Sequence, residues 1–289
     1  MQRQNLDRRW KFEFISTSPI QDSQHGSTIV DLPHDFSIIQ KRDPHTLSGA
    51  SNGFFPGGIG TYEKSLYVPG EWKDKKIMLE FEGAYMNTTV HINNELVARH
   101  PYGYTSFHCV LTPYLLYDRE NTITVTVNNS ALPNTRWYSG SGIYRHVWLL
   151  IGESIHIIPW GVYATSPEVS TERSRVHVKT TVENSGTESA EVMIRSTLLN
   201  ACSDVVAVDE TQLEIDNGTT KEVEQDLVVS PANLWSVDNP YLYTLRSEVV
   251  KDGNVIDSTE TSIGIRSISF DTQNGFRLNG VPMKLRGGC

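Results

Sequence analysis

The chain has 289 residues, 38% hydrophobic and 20% charged, which is enough for two domains of ordinary size in a soluble globular protein. Thirty-four acidic against 25 basic residues leave a net charge of −9. Nucleic acid and an anionic membrane surface are therefore disfavoured as partners, because both demand clustered positive charge. No apolar run reaches the ~18 residues that a membrane helix needs. Cys109, Cys202 and Cys289 stand far apart, without CxxC or Cys/His ligand spacing, so ordinary reduced thiols are expected rather than a disulfide framework or a zinc site. The opening Met1-Gln2-Arg3-Gln4-Asn5-Leu6 is polar from the start and is no secretory leader. The compartment stays open between the cytoplasm and a periplasm reached with a leader removed.

Strand patterning begins early. Ile77, Leu79 and Phe81 alternate with Met78, Glu80 and Glu82, and Ile123, Val125 and Val127 alternate with threonines. This is the period of a strand with one face in a core. Farther on, Val176 and Val178 alternate with Arg175, His177 and Lys179, and Val192, Ile194 and Leu198 share a face opposite Glu191, Met193, Arg195 and Thr197. Asn93-Asn94, Asp216-Asn217-Gly218, Asp252-Gly253 and Asn279-Gly280 punctuate the runs with residues that accept the positive φ of tight hairpins. No window keeps a helical period. Regularly spaced short strands of this kind predict an all-β protein made of sandwiches.

A composition change near Pro159-Trp160-Gly161 predicts a domain boundary there. Residues 1–158, rich in aromatics, glycine and long loops, suit a jelly-roll β-sandwich. Residues 159–270 have the size of a seven-stranded immunoglobulin-like β-sandwich, without the Cys…Trp…Cys pattern of antibody domains. Residues 271–289 fit neither. Phe276 to Arg286 reads as a hairpin through Asn279-Gly280 that climbs into a further strand at about Leu285, and the ending at Gly288-Cys289 reads as a truncation.

The richest cluster for chemistry is Arg136 to Arg145. Trp137, Tyr138 and Tyr144 offer flat faces for stacking, and Arg136 offers a hydrogen-bonding fork. The plainer reading is a bend that closes the sandwich, with Gly140 and Gly142 supplying unusual backbone angles. His34 and Asp35 are not an acid/base pair, since neighbours in an extended segment point to opposite faces, so a hydrogen-bonded loop is expected. The Gly53–Gly60 stretch lacks the strand, helix and Lys-Ser/Thr context of a phosphate cradle and reads as a long loop. Nine scattered histidines show no ligand spacing, so neither a metal nor a cofactor is expected.

Nine motifs in order carry a resemblance. They are Leu32-Pro33-His34-Asp35-Phe36, Gly57-Gly58-Ile59-Gly60-Thr61-Tyr62-Glu63, Phe81-Glu82-Gly83-Ala84, Gly103-Tyr104-Thr105-Ser106-Phe107, Ser141-Gly142-Ile143-Tyr144-Arg145, Leu234-Trp235-Ser236, Pro240-Tyr241-Leu242-Tyr243, Gly264-Ile265-Arg266 and Gly275-Phe276-Arg277-Leu278-Asn279-Gly280. Together they resemble the amino-terminal half of glycoside hydrolase family 2, the β-galactosidase and β-glucuronidase family. The resemblance implies a jelly-roll sugar-binding domain, an immunoglobulin-like domain and then a (β/α)₈ barrel. It implies that both catalytic carboxylates lie in the barrel, beyond Cys289, so that no catalytic residue is expected in this chain. It also implies that the loop before Gly142-Ile143-Tyr144-Arg145 reaches the sugar pocket, with Arg136, Trp137 and Tyr138 at its rim. Several family members carry an acidic residue where an ungapped count places Arg136. The expected function is that of a non-catalytic amino-terminal fragment of a retaining glycosidase, of β-galactosidase type. Its partners would be a carbohydrate substrate and the barrel in cis, and a homo-oligomer is compatible with the sequence. The alternatives are a stand-alone carbohydrate-binding protein and a structural two-sandwich protein.

Overall fold

The computed structural model describes residues 1–16, 26–47, 49–131, 133–273 and 275–288; the reading of Cys289 lies outside them. It divides into two compact units, Gln2–Ile151 and, with Met1, Gly152–Cys289.

The first unit contains β1 (Gln2–Asn5), β2 (Trp10–Ser16), β3 (Thr28–Val30), β4 (Gly58–Val68), β5 (Lys76–Phe81), β6 (Thr88–Ile92), β7 (Glu95–His100), β8 (Phe107–Val110), β9 (Arg119–Asn128) and β10 (Val147–Gly152). They form a six-stranded sheet in the order β3-β2-β4-β9-β6-β7 and a four-stranded sheet in the order β1-β10-β5-β8. This is a sandwich of the jelly-roll kind. Its core gathers Trp10, Phe12, Phe36, Tyr62, Phe81, Ile123, Val125 and Leu149. In β9 the alternation is clean, with Ile123, Val125 and Val127 fully buried between outward threonines. β5 departs from it. Met78 and Glu80 are buried as well as Ile77, Leu79 and Phe81, because the outer face of this strand is covered too: the Arg3 guanidinium reaches Glu80 at 3.1 Å.

The second unit contains β11 (Ile155–Glu168), β12 (Ser174–Asn184), β13 (Ala190–Leu199), β14 (Val205–Ile215), β15 (Thr219–Val229), β16 (Tyr243–Lys251) and β17 (Asn254–Ile263). Three strands, β11-β12-β15, face four, β14-β13-β16-β17, giving the seven strands of an immunoglobulin-like sandwich. The division falls at Gly152 rather than at Pro159. Pro159-Trp160-Gly161 lies inside β11, where the pairing with β12 shifts register between Ile157 and Val162 and Trp160 takes a φ of 58°. Five steps along β11 against two along β12 put three extra residues into the strand, which kink it without ending it, so this bulge carries the Pro and Gly signals of a linker.

Positive φ occurs at all four predicted turns, at Asn93 and Asn94, Gly218, Asp252 and Gly253, and Asn279 and Gly280. Only three of them close hairpins, β6-β7, β16-β17 and one farther on; Asp216-Asn217-Gly218 carries the chain from β14 in one sheet to β15 in the other. A small sheet follows, β18 (Ile268–Asp271), β19 (Gly275–Leu278) and β20 (Val281–Pro282). Residues 283–288 form no regular element, so the strand expected from about Leu285 is not formed. Met283 N–H still donates to the Phe276 carbonyl at 2.9 Å, but no strand ladder is formed beyond it among the described residues. No helix among the described residues is long and apolar enough to cross a membrane.

Candidate functional site

The loop from Asn129 to Gly142, between β9 and β10, is held by a polar frame from the first unit. Asp35 is its centre. One carboxylate oxygen accepts the backbone N–H groups of Ser37 and Ser141, both at 2.9 Å, and the other accepts the Tyr138 hydroxyl at 2.6 Å. Buried Asn129 donates to the Gly140 carbonyl and to Ser141 Oγ, and Ser141 Oγ lies 2.7 Å from Ser37 Oγ. Ser139 N–H donates to Asn52. Gly140 and Gly142 have φ of 71° and 126°, and a Cβ on Gly142 would lie 2.5 Å from the Tyr62 hydroxyl. The bend therefore requires glycine at both places.

His34 and Asp35 do point apart. His34 Nδ1 lies 2.9 Å from the Tyr62 hydroxyl and its ring packs edge-on against Phe12. Burial holds the His34 pKa below the ordinary 6.5, against the pull of Asp35. Tyr138 is half-buried, its ring edge-on to Phe55. Burial, and then its hydrogen bond to Asp35, push its pKa up, so the hydroxyl stays protonated and Tyr138 acts as a strut.

Beyond this frame the loop turns outward. Arg136 is exposed, and Trp137 is 58% exposed, which excludes a core role for its ring. The indole N–H of Trp137 donates to the Tyr104 hydroxyl at 2.9 Å. Tyr104 sits 5.1 Å from Tyr85 and 5.7 Å from Tyr102, centroid to centroid. The turn carrying Tyr102 and Tyr104 is strapped down, since the Tyr144 hydroxyl donates to the Gly103 carbonyl at 2.7 Å and Ser106 Oγ to the Glu82 carbonyl at 2.9 Å. Gly103 lies flat on Tyr85, where a Cβ would come within 2.1 Å of the ring. The sequence reading missed Tyr104 as the partner of Trp137, and Tyr102 and Tyr85 as the rings packed around Tyr104. Its available signal was the pair of tyrosines flanking a glycine in Tyr102-Gly103-Tyr104.

The Ile143–Arg145 segment is structural. Ile143 is fully buried and Arg145 faces Glu82 at 3.7 Å. In the second unit a cleft of about 640 Å³ lies between β11 and β17, and Arg266 is the one charged side chain in its lining. No acid/base pair is present there. Among the described residues no group of three or more His, Cys, Asp or Glu side chains could hold a metal ion. Burial pushes the Cys109 thiol up to about 12, which makes it inert.

Two domain models of one family match this chain: the sugar binding domain of Glycosyl hydrolases family 2 over residues 44–152, and a second Glycosyl hydrolases family 2 domain over 156–266. The chain belongs to glycosyl hydrolase family 2. It is 37% identical to β-galactosidase BoGH2A of Bacteroides ovatus over 293 residues, which is 100% of this chain and 34% of that protein. It is 30% identical to a β-glucuronidase of Bacteroides fragilis, covering 100% of this chain and 41% of that one. A crystal structure of a family member from Bacteroides cellulosilyticus superposes with a TM-score of 0.91 at 36% identity, covering 100% of this chain and 38% of the other. The chain thus spans about a third of the length of the curated relatives it matches. The 136–138 loop and the tyrosines around it lie inside the segment matched by the sugar binding domain.

Proposed function

We propose that this chain is the non-catalytic amino-terminal portion of a retaining glycosidase of β-galactosidase type, and that Arg136, Trp137 and Tyr138 border its sugar pocket. The observation that carries the reading is the alignment of the whole chain with about a third of enzymes named β-galactosidase and β-glucuronidase. Retention needs a nucleophilic carboxylate and an acid/base carboxylate ~5–5.5 Å apart on a rigid frame. In this proposal both belong to a barrel that follows in cis, and the 271–288 segment leads into it. The first unit contributes a wall. Trp137 stacks on the C–H face of the sugar, the Arg136 guanidinium donates to its oxygens, and Tyr138, fixed by Asp35, holds the loop at the height where the other two reach the ligand.

Two measurements test this. Purified 289-residue chain is expected to hydrolyse neither chromogenic β-galactosides nor β-glucuronides, and turnover above a buffer blank would sink the proposal. In the longer enzyme, Trp137→Ala is expected to lower kcat/KM about 10-fold, which corresponds to about 1.4 kcal/mol, while leaving the melting temperature nearly unchanged because the ring is exposed. Unchanged kcat/KM would remove Trp137 from the pocket.

A further inference from the structure

The first unit exposes aromatic surface beyond the 136–138 rim. Tyr102 is 56% exposed and Tyr104 is 45% exposed, and Trp137 joins them through its bond to the Tyr104 hydroxyl. The three rings come from two separate loops, 101–106 and 133–139, and form one contiguous patch. Exposed aromatic rings clustered in this way mark interaction sites more often than isolated ones do.

The patch is also built rather than incidental. Tyr102 and Tyr104 flank a glycine pressed on the buried Tyr85 ring, and the carbonyl of that glycine is held by Tyr144. The Trp137 loop is fixed from behind by Asp35 and Asn129. Rings held in place before the ligand arrives lose little side-chain freedom on binding. Each ring offers an apolar face, and the Tyr102 and Tyr104 hydroxyls can donate to or accept from a sugar hydroxyl. The patch itself is made of aromatic rings, with Arg136 on the Trp137 loop and the exposed Arg145 next to Tyr144 as its charged surroundings. A neutral ligand with alternating C–H faces and hydroxyls fits this surface, and a saccharide chain has that chemistry.

We propose that Tyr102, Tyr104 and Trp137 form an aromatic shelf that binds a second and further sugar unit of a β-linked oligosaccharide, adjoining the unit held at the 136–138 rim. The proposal rests on the sugar-pocket reading of that rim and deepens it from one sugar residue to a chain. Stacking reads C–H faces rather than individual hydroxyls, so the shelf contributes length preference together with a coarse selection of ring face.

The test uses the 289-residue chain titrated by calorimetry with β-1,4-linked tetrasaccharides of galactose, glucose and mannose, and with each free monosaccharide. At least one tetrasaccharide is expected to bind about 10-fold or more tightly than its own monosaccharide. Tyr102→Ala is expected to weaken that binding about 5- to 10-fold, the loss of one aromatic contact, whereas Tyr102→Phe retains most of it. Near-ultraviolet circular dichroism checks that both variants fold. Absence of binding to all three tetrasaccharides, equal affinity for monosaccharide and tetrasaccharide, or no effect of Tyr102→Ala in a folded variant would each overturn the shelf. The pocket reading fails differently. If the tetrasaccharide binds and depends on Tyr102, while Trp137→Ala leaves monoglycoside kcat/KM unchanged in the longer enzyme, the rim falls and the placement of the shelf beside the pocket falls with it, leaving only a saccharide-binding surface at Tyr102 and Tyr104.

Discussion

Asp35 ties residues 35–37 to residues 138–141 with three accepted hydrogen bonds, two of them from backbone N–H groups. Asp35→Ala would leave the Ser37 and Ser141 N–H groups and the Tyr138 hydroxyl without this acceptor. The expected loss of stability is about 2–4 kcal/mol, measurable by urea denaturation, with Asp35→Asn costing clearly less because its amide oxygen still accepts. A loss below about 0.5 kcal/mol for Asp35→Ala would show that water replaces the carboxylate, and that the loop is not framed as described. His34 gives a pH signature at the same place. Burial lowers its pKa in the folded state below 6.5, so the unfolded chain takes up a proton at a higher pH than the folded one. Folding is therefore undisturbed by His34 above about pH 7 and loses stability as pH falls through about 6.5 toward the folded-state pKa. Melting temperatures recorded from about pH 7.5 to about pH 5 should fall more steeply in the wild type than in His34→Phe. Parallel curves would mean that His34 is solvated when charged. The opposite orientation of His34 and Asp35 was legible in the sequence, because side chains alternate along any extended segment. The partnership of Trp137 with Tyr104 was not, because 33 residues separate them and only the folding of two loops together brings the indole to the hydroxyl.

Along β12 the two faces do different work. Val176, Val178 and Val182 are fully buried, while Arg175, His177 and Lys179 on the outer face meet Asp226, Glu224 and Glu222 across the pairing with β15. Exposed cross-strand ion pairs of this kind contribute ~0–1 kcal/mol and weaken with salt. A buried valine contributes through the surface it removes from water and the cavity its loss leaves. Val178→Ala is thus expected to destabilise the second unit by about 1.5–3 kcal/mol independently of salt. Lys179→Ala should cost below about 1 kcal/mol, shrinking further in about 1 M NaCl. The reverse ranking in chemical denaturation would mean that the charge ladder, not the core face, holds β12. This strand was legible because one face meets the core and the other meets water. β5 was legible only on its inner face. The burial of Met78 and Glu80 depends on what lies over the strand, and no local periodicity records that. The tight turns were legible, because a positive φ is a demand on one or two residues and Asn, Asp and Gly answer it locally, but the pairing was not: the 216–218 turn crosses between sheets instead of closing a hairpin.

At the scale of the whole molecule each unit has its own core. The large cluster around Trp10, Tyr62 and Phe81 contains only residues of the first unit, and the clusters around Leu198 and Tyr243 and around Ile194 and Val249 contain only residues of the second. A unit of about 150 residues buries ~68–70% of its unfolded surface, which is enough to fold alone. Where the chain is cut should therefore matter more than that it is cut. A cut at Gly152 leaves β11 whole. A cut at Pro159, where the sequence suggested a linker, removes Ile155 and Ile157 from the second unit. Both are 4% exposed members of its core, and their segment pairs with residues 182–184. It also removes the Ile157 N–H that donates to buried Asp257 at 2.8 Å. Loss of a buried isoleucine side chain costs ~2–5 kcal/mol, so residues 159–289 should be at least about 4 kcal/mol less stable than residues 152–289. For a unit of this size that is a fall of about 15 °C or more in melting temperature, or no cooperative transition at all. Thermal melts of the two fragments by far-ultraviolet circular dichroism decide it. Equal melting temperatures would mean that Pro159–Gly161 is a true linker and that the Ile155–Ile157 segment does not support the second core. A deficit of the expected size would mean that the strand runs through its bulge, and that the immunoglobulin-like unit begins at the first residues after β10.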